Sequence, residues 1–333
     1  VRLIVYRKNS QEFLWTRCRH VEDEYMAQIA TRFALLISVF FTIACEKPAE
    51  QDAVIQSVDV YEGNFATVNS FIFSNGQSLA VLDVQRKWYE AEKLIAKIKA
   101  KNLPLSYILI SHGHTDHFTG LDYVMKAFPE AKVVVANENI KKAIKAYAIY
   151  MHGFGSNEDG PILDPTLIPK SPENPDGFDY ENNIHVLNAD RLTLPGGGTL
   201  ELTTDYLPNE AEFMTTVYSP DLNGLFISDL GYNDVHHWQG DDISWQDIAN
   251  WRSELRRIQD EYADRNPDVY PGHGKTTDLS GIDDMVQYID DYKRIVQNAT
   301  SRQQAKDEIV ALYPNHKEAD FFLKYSLMNH IKE

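Results

Sequence analysis

Cysteine is nearly absent: Cys18 and Cys45 are the only two in 333 residues, and none follows position 45. That excludes a disulfide framework and a cysteine-rich zinc or iron–sulfur site, and it leaves most of the chain without a thiol nucleophile. Positive charge is also scarce. The 32 Lys+Arg stand against 49 Asp+Glu, a formal net charge of −17. A field of that sign repels phosphate backbones, so no nucleic-acid partner is expected. No apolar run reaches the roughly 20 residues of a bilayer-spanning helix, and no internal repeat is evident. What remains is an ordinary globular composition, 43% hydrophobic and 24% charged, which excludes disordered and collagen-like chains.

The longest apolar run, Phe33–Ala44 (FALLISVFFTIA), has 12 residues and follows Arg32. It suits the h-region of a secretion signal that starts at Met26 and ends at Ala44. Thr42-Ile43-Ala44-Cys45 resembles a bacterial lipoprotein box, with Thr42 where leucine is usual. The expectation is cleavage before Cys45, lipid on its sulfur, a linker over 45–57, and a periplasmic or outer-membrane lipoprotein. Residues 1–25 read as an extension foreign to the mature protein, and 58–333 as one domain ending in helices. A buried core helix is the alternative for the apolar run.

Beyond Ser57, strand-like and helix-like stretches alternate. Phe65–Phe73 and Leu79–Asp83 are β-rich runs joined by the hairpin signal Asn75-Gly76. Trp88, Ala91, Leu94, Ile95 and Ile98 recur at helical spacing, which predicts a helix over Trp88–Lys101. Ser106–Ser111 and Lys132–Ala136 read as short buried strands and Phe118–Phe128 as a helix. Gly153 to about Asn183 is rich in Gly, Pro, Asn and Asp and reads as a long surface excursion. Strand runs resume at Ile184–Leu187, Thr199–Thr204, Thr215–Tyr218 and Leu225–Ser228. Helical patterns follow at Trp245–Tyr262 and Ile282–Asn298, with two more near the C-terminus. Strands in two clusters interleaved with helices predict an α/β layered domain.

The most informative stretch is Ser111–Gly120, SHGHTDHFTG. His112, His114, Asp116 and His117 crowd the end of a buried strand, and imidazole and carboxylate are the donors a borderline divalent ion prefers. In extended backbone His112 and His114 project to the same side and can share one ion. The turn that follows can aim Asp116 and His117 at a second position.

Strand-then-HxHxDH resembles the metallo-β-lactamase superfamily. That resemblance implies a four-layer αββα sandwich with a two-metal site along one edge, over about Val58 to Asp278. Other landmarks fit in order. Asp83 stands where the family places a structural aspartate. Asp229, in LFISDL with Ser228 for the usual glycine, resembles the metal-bridging aspartate, and His273, in YPGHG, resembles the last histidine ligand. The family's third histidine for the first ion is missing. Pro208–Met214 (PNEAEFM) occupies that turn, and the resemblance puts Glu210, or else Glu212, in the ligand position. Without either, the first site would be His112, His114 and Asp229, a facial triad of the kind suited to non-haem iron.

Two adjacent ions, zinc by preference with iron or manganese as alternatives, would share a water and make it hydroxide near neutral pH. Asp116 would act both as ligand and as proton shuttle. His236, His237 and Tyr232 are candidate donors to a developing oxyanion, His236 ahead of His237. Tyr147, Tyr150, Met151 and Phe154 could form an apolar lip above the ions. The function expected is an exported hydrolase that opens a cyclic amide or ester of a small molecule, of the β-lactam or acyl-homoserine lactone type. Hydrolysis of another ester or thioester, iron-dependent persulfide oxygenation on the same fold, and non-catalytic binding are the alternatives.

Overall fold

The first sheet begins with the antiparallel strands β1 (Ser57–Glu62), β2 (Asn69–Ser74) and β3 (Leu79–Leu82). It continues through the parallel strands β4 (Leu105–Leu109) and β5 (Lys132–Val135). After a short separate hairpin, β6 (Ser156–Asn157) and β7 (Gly160–Pro161), β8 (Ile184–Val186) closes the order β1-β2-β3-β4-β5-β8. The second sheet places sequential strands side by side: β9 (Arg191–Thr193), β10 (Thr199–Thr203), β11 (Thr216–Ser219), β12 (Gly224–Asn233), β13 (Asp268–Gly274) and β14 (Thr277–Asp278). Only the β12–β13 pair in it is parallel. The structure is a computed structural model and describes residues 53–157, 160–240 and 243–332. The signal-like segment, Cys45 and the extension before Met26 lie outside the described residues.

Helices cover the outer faces. α1 (Trp88–Ala100), α2 (Thr115–Phe118), α3 (Leu121–Ala127), α4 (Glu138–Gly153) and α5 (Tyr180–Asn183) belong to the first half. Leu94, Ile98, Leu121, Val124, Ile140, Ile144 and Ala148 join the strands of the first sheet in one core. α6 (Trp245–Tyr262), α7 (Gly281–Asn298), α8 (Arg302–Leu312), a π-helical turn (Ala319–Leu323) and α9 (Lys324–His330) belong to the second. α6 shows why: Ile248, Trp251, Leu255, Ile258 and Tyr262 form one buried stripe. A reciprocal Ser244–Asp247 cap fixes where it starts. Between the layers, Phe226 packs edge-on against Phe71 and Phe73, at ring centroid distances of 4.9 and 4.7 Å. The expected αββα sandwich is what the chain adopts.

Two local expectations fail for backbone reasons. The run Phe65–Phe73 becomes strand only from Asn69, because Ala66 and Thr67 take left-handed φ of 57° and 56°. Phe118–Phe128 is two helices rather than one. Gly120 interrupts it, donating its N–H to the Gln85 carbonyl at 2.8 Å. A Cβ at Gly120 would lie 2.0 Å from the Val84 carbonyl oxygen, so only glycine allows this approach.

Candidate metal centre

Seven side chains converge where the C-terminal ends of the central strands meet. β4 runs out into His112, whose neighbour Ser111 accepts the Thr215 N–H at 2.9 Å, so the β10–β11 connection is drawn over the strand end. α2 then turns His114, Asp116 and His117 inward. β12 delivers Asp229 and β13 delivers His273, which pairs in register with Tyr232.

The side chains form two groups. His112, His114, Glu210 and Asp229 make the first and Asp116, His117, Asp229 and His273 the second; within each, the potential ligand atoms lie within 4.8 Å of one another. Asp229 belongs to both. Its Oδ1 is 3.1 Å from His117 Nε2, and its Oδ2 is 3.2 Å from His273 Nε2 and 3.6 Å from His112 Nε2. Glu210 Oε1 is 2.9 Å from His114 Nδ1. Glu212 is exposed and belongs to neither group. Glu210 thus adds a fourth potential ligand atom to the set of His112, His114 and Asp229.

Several of these atoms lack a partner of their own. His112 Nε2, His117 Nε2, Glu210 Oε2 and Asp229 Oδ1 are buried without a hydrogen bond. Such orphans are costly unless a ligand satisfies them, and nitrogen and carboxylate donors aimed at common points fit divalent cations. The electrostatics agree. Burial raises the Glu210 carboxyl to about 7, although His114 opposes the shift. Burial lowers the His112 imidazole, helped by the nearby His117. For Asp229 burial is outweighed by His117, His273 and His112, which hold its carboxyl well below the usual range. Without cations, protons take their place: burial would lower His114, but Glu210 outweighs it and raises the ring to about 9.

A surrounding shell orients the ligands. Asp83, at a left-handed φ of 60°, accepts the Ser111 N–H at 2.8 Å and its hydroxyl at 2.7 Å, and it holds His117 Nδ1 at 2.8 Å. His273 Nδ1–H donates to the Ala66 carbonyl at 2.7 Å, which leaves Nε2 facing Asp229. Ser228, where the family usually has glycine, keeps a left-handed φ of 46°. Its hydroxyl donates to Ser111 Oγ at 2.9 Å and lies 3.3 Å from His112 Nδ1.

Tyr232 donates its hydroxyl to Asp229 Oδ2 at 3.1 Å and stands 3.4 Å from Glu210 Oε1. Burial, with both carboxylates adding to it, raises its pKa and keeps the proton on oxygen. The ring stacks on His273 at 4.6 Å with an 8° tilt. The other two donor candidates sit elsewhere. His236 is buried, pairs through Nδ1 with the Tyr288 hydroxyl at 2.9 Å and does not line the cavity over the site. His237 stacks on Tyr288 at 4.2 Å. The role given to His236 from sequence is therefore corrected: the chain folds it into the α7 core.

A cavity of about 650 Å³ opens over the two groups, and His114, Asp116, Glu210, Asp229 and Tyr232 reach it. Tyr147, Met151 and Phe154 line one side as expected, whereas Tyr150 faces a neighbouring hollow. Sequence reasoning missed the other side. Phe65, Trp238, Phe321, Phe322 and Tyr325 form an aromatic wall, and Arg86 and Glu318 also face the cavity. The aromatic pair Phe321-Phe322 beside a tyrosine was a visible signal. Nothing in its spacing tied it to ligands so far upstream.

A family model described as the metallo-beta-lactamase superfamily matches residues 63–273. A probable metallo-hydrolase from Streptococcus pyogenes serotype M6 is 27% identical over 217 residues, covering 65% of this chain and 83% of that protein. A glyoxylase B2 from Dictyostelium discoideum is 28% identical over 136 residues, 40% of this chain and 42% of its own length. Among solved structures, a metallo-beta-lactamase from Pontibacter korlensis is 18% identical with a TM-score of 0.48, covering 70% of this chain and 92% of its own.

Proposed function

Because this chain belongs to the metallo-β-lactamase superfamily, and is thus a metal-dependent hydrolase, we propose that it opens a cyclic ester, or less readily a cyclic amide, of a small molecule outside the cytoplasm. The observation that carries the reading is the pair of ligand groups sharing Asp229 beneath an aromatic-walled cavity. Two divalent cations bound there, zinc by preference, would supply a hydroxide at neutral pH and polarise the carbonyl under attack.

The residues divide the remaining work. His112, His114, Glu210 and Asp229 would hold one cation, and Asp116, His117, Asp229 and His273 would hold the other. Asp116, which reaches the cavity, carries the proton towards the leaving atom. The Tyr232 hydroxyl donates to the oxygen that gains charge. Glu210 in place of a third histidine puts an extra negative charge beside the first cation. That weakens it as a Lewis acid, and a lactone, which is a better electrophile than an amide, tolerates this best. Export rests on the apolar run 33–44 followed by Cys45.

Thioester hydrolysis is the second reading, favoured by the likeness to the glyoxylase B2 of Dictyostelium discoideum. The test is a panel of a chromogenic β-lactam, an acyl-homoserine lactone and an acyl thioester, given to zinc-loaded protein and to Asp116→Ala. Turnover of the lactone ahead of the others, lost in the variant, supports the proposal. Full activity in Asp116→Ala would overturn it.

A further inference from the structure

The loop that follows β3 is held in an unusual shape. Asp83 and Gln85 both take left-handed φ, 60° and 73°, a cost that a non-glycine residue bears only where the surroundings enforce it. They do so here. The Gln85 side-chain amide donates to the Val68 carbonyl at 3.1 Å and to Ser70 Oγ at 2.8 Å, the Gln85 backbone carbonyl accepts the Gly120 N–H, and the Val84 N–H donates to the His117 carbonyl. The residue presented by this pinned loop is Arg86.

Arg86 lines the cavity. Its guanidinium carbon lies 5.3 Å from the centre of the Phe65 ring, and Lys87 Nζ lies 4.8 Å from the same centre. Phe65 is in turn braced edge-on by Phe321 at 5.6 Å. Among the described residues no carboxylate comes within 4.0 Å of Arg86, and its buried Nε has no hydrogen-bond partner. Glu318 faces the same cavity without pairing to it, and Asp320 is taken by Lys306 at 2.6 Å. A half-buried guanidinium left without an anion among the described residues is arranged for one supplied from outside.

Resting on the hydrolase reading, we propose that Arg86 is a specificity residue that binds a carboxylate on the substrate, remote from the bond that is cleaved. The aromatic wall takes the apolar body of the same molecule, so the favoured substrate is an amphiphilic cyclic ester that also carries a free carboxylate; the acyl-homoserine lactone of the panel, which has none, reports the ester chemistry and not this contact. Arg86 touches neither ligand group, so its loss leaves metal binding intact.

The test compares 3-phenylpropanoate with 3-phenylpropanamide as ligands of the zinc-loaded protein, by calorimetry. Carboxylate affinity for the cations is common to all variants, so the informative quantity is how the carboxylate-over-carboxamide ratio changes on mutation. Arg86→Ala should lower that ratio about tenfold or more and leave the carboxamide affinity and zinc content unchanged. Arg86→Lys should keep part of the preference, because it keeps the charge but not the fork. An unchanged ratio in Arg86→Ala, or an equal loss for both ligands, would overturn the assignment and leave Arg86 as packing for Phe65. The measurement needs no turnover. If the ester panel fails while the ratio shifts, the cyclic-ester reading falls and the anion site stands; if turnover is robust and the ratio is flat, the reverse holds.

Discussion

Replacing Gly272 by alanine puts the most direct load on the centre. A Cβ at that position would stand 2.1 Å from Asp229 Oδ1, 2.7 Å from the Ser228 carbonyl carbon and 2.9 Å from its oxygen. Unstrained heavy-atom contacts lie near 3.5 Å, so the carboxylate or the β13 backbone must move by more than about 1 Å. Ligand bonds of about 2.0–2.2 Å do not survive that shift, and Asp229 serves both groups. Zinc affinity should fall about 10–100-fold at both positions, and turnover by at least as much. Crowding should also lower stability by about 1–3 kcal/mol, which melting of the chelator-treated protein measures separately. Equilibrium dialysis against zinc with metal analysis reads the main effect. Gly153→Ala, with nothing within 4 Å of the new methyl, is the control and should behave as wild type. If Gly272→Ala holds two ions at wild-type affinity, Asp229 is not the shared ligand and the reasoning is refuted.

Glu210→Gln should reduce zinc stoichiometry from two to one while Glu212→Gln leaves it at two, read by metal analysis after dialysis. Tyr232→Phe should keep both ions and lose about 100-fold in kcat, with KM little changed; a wild-type kcat would remove the tyrosine from the chemistry. The pH dependence has a definite sign. In metal-free protein Glu210 is raised from 4.5 to about 7 and His114 from 6.5 to about 9. Groups with raised folded pKa values stabilise the fold below their unfolded values, and this contribution is lost as pH rises through the folded ones. Above about pH 6.5, where the lowered rings of His112, His236 and His237 no longer oppose it, chelated protein should therefore lose stability up to about pH 9, while zinc, replacing those protons, should stabilise more as pH rises. Melting temperatures with and without zinc across that range check it.

Much of the centre was legible because its ligands follow strand ends. His112, His114, Asp116 and His117 sit within one turn of β4, and Asp229 and His273 lie in neighbouring parallel strands. Once the strands are read, topology brings the side chains together. Glu210 was legible as a choice between two glutamates, and burial separates them. The misreadings share a cause. His236 looked suitable by its distance from Asp229 along the chain, but β12 runs on to Asn233 and carries it past the cavity into the α7 core. Arg86 and the aromatic wall depend on left-handed turns and long-range packing, neither of which leaves a periodic trace. The edge strands β1 and β9 were not singled out, since such short segments take their form from their neighbours; α4 was passed over although Ile140, Ile144, Ala148 and Met151 recur at helical spacing.

The cavity is closed by Phe321, Phe322 and Tyr325, which follow the last ligand, His273, and lie beyond the stretch matched to the family. All seven proposed ligands exist in the growing polypeptide before those three aromatic residues have been synthesised. A nascent chain can therefore become competent to hold its ions earlier than it becomes selective about what reaches them. Evolution can likewise recut Phe321 and Tyr325, and so the choice of compound, whereas Phe322, edge-on to His273 at 5.1 Å, is tied to the centre beneath.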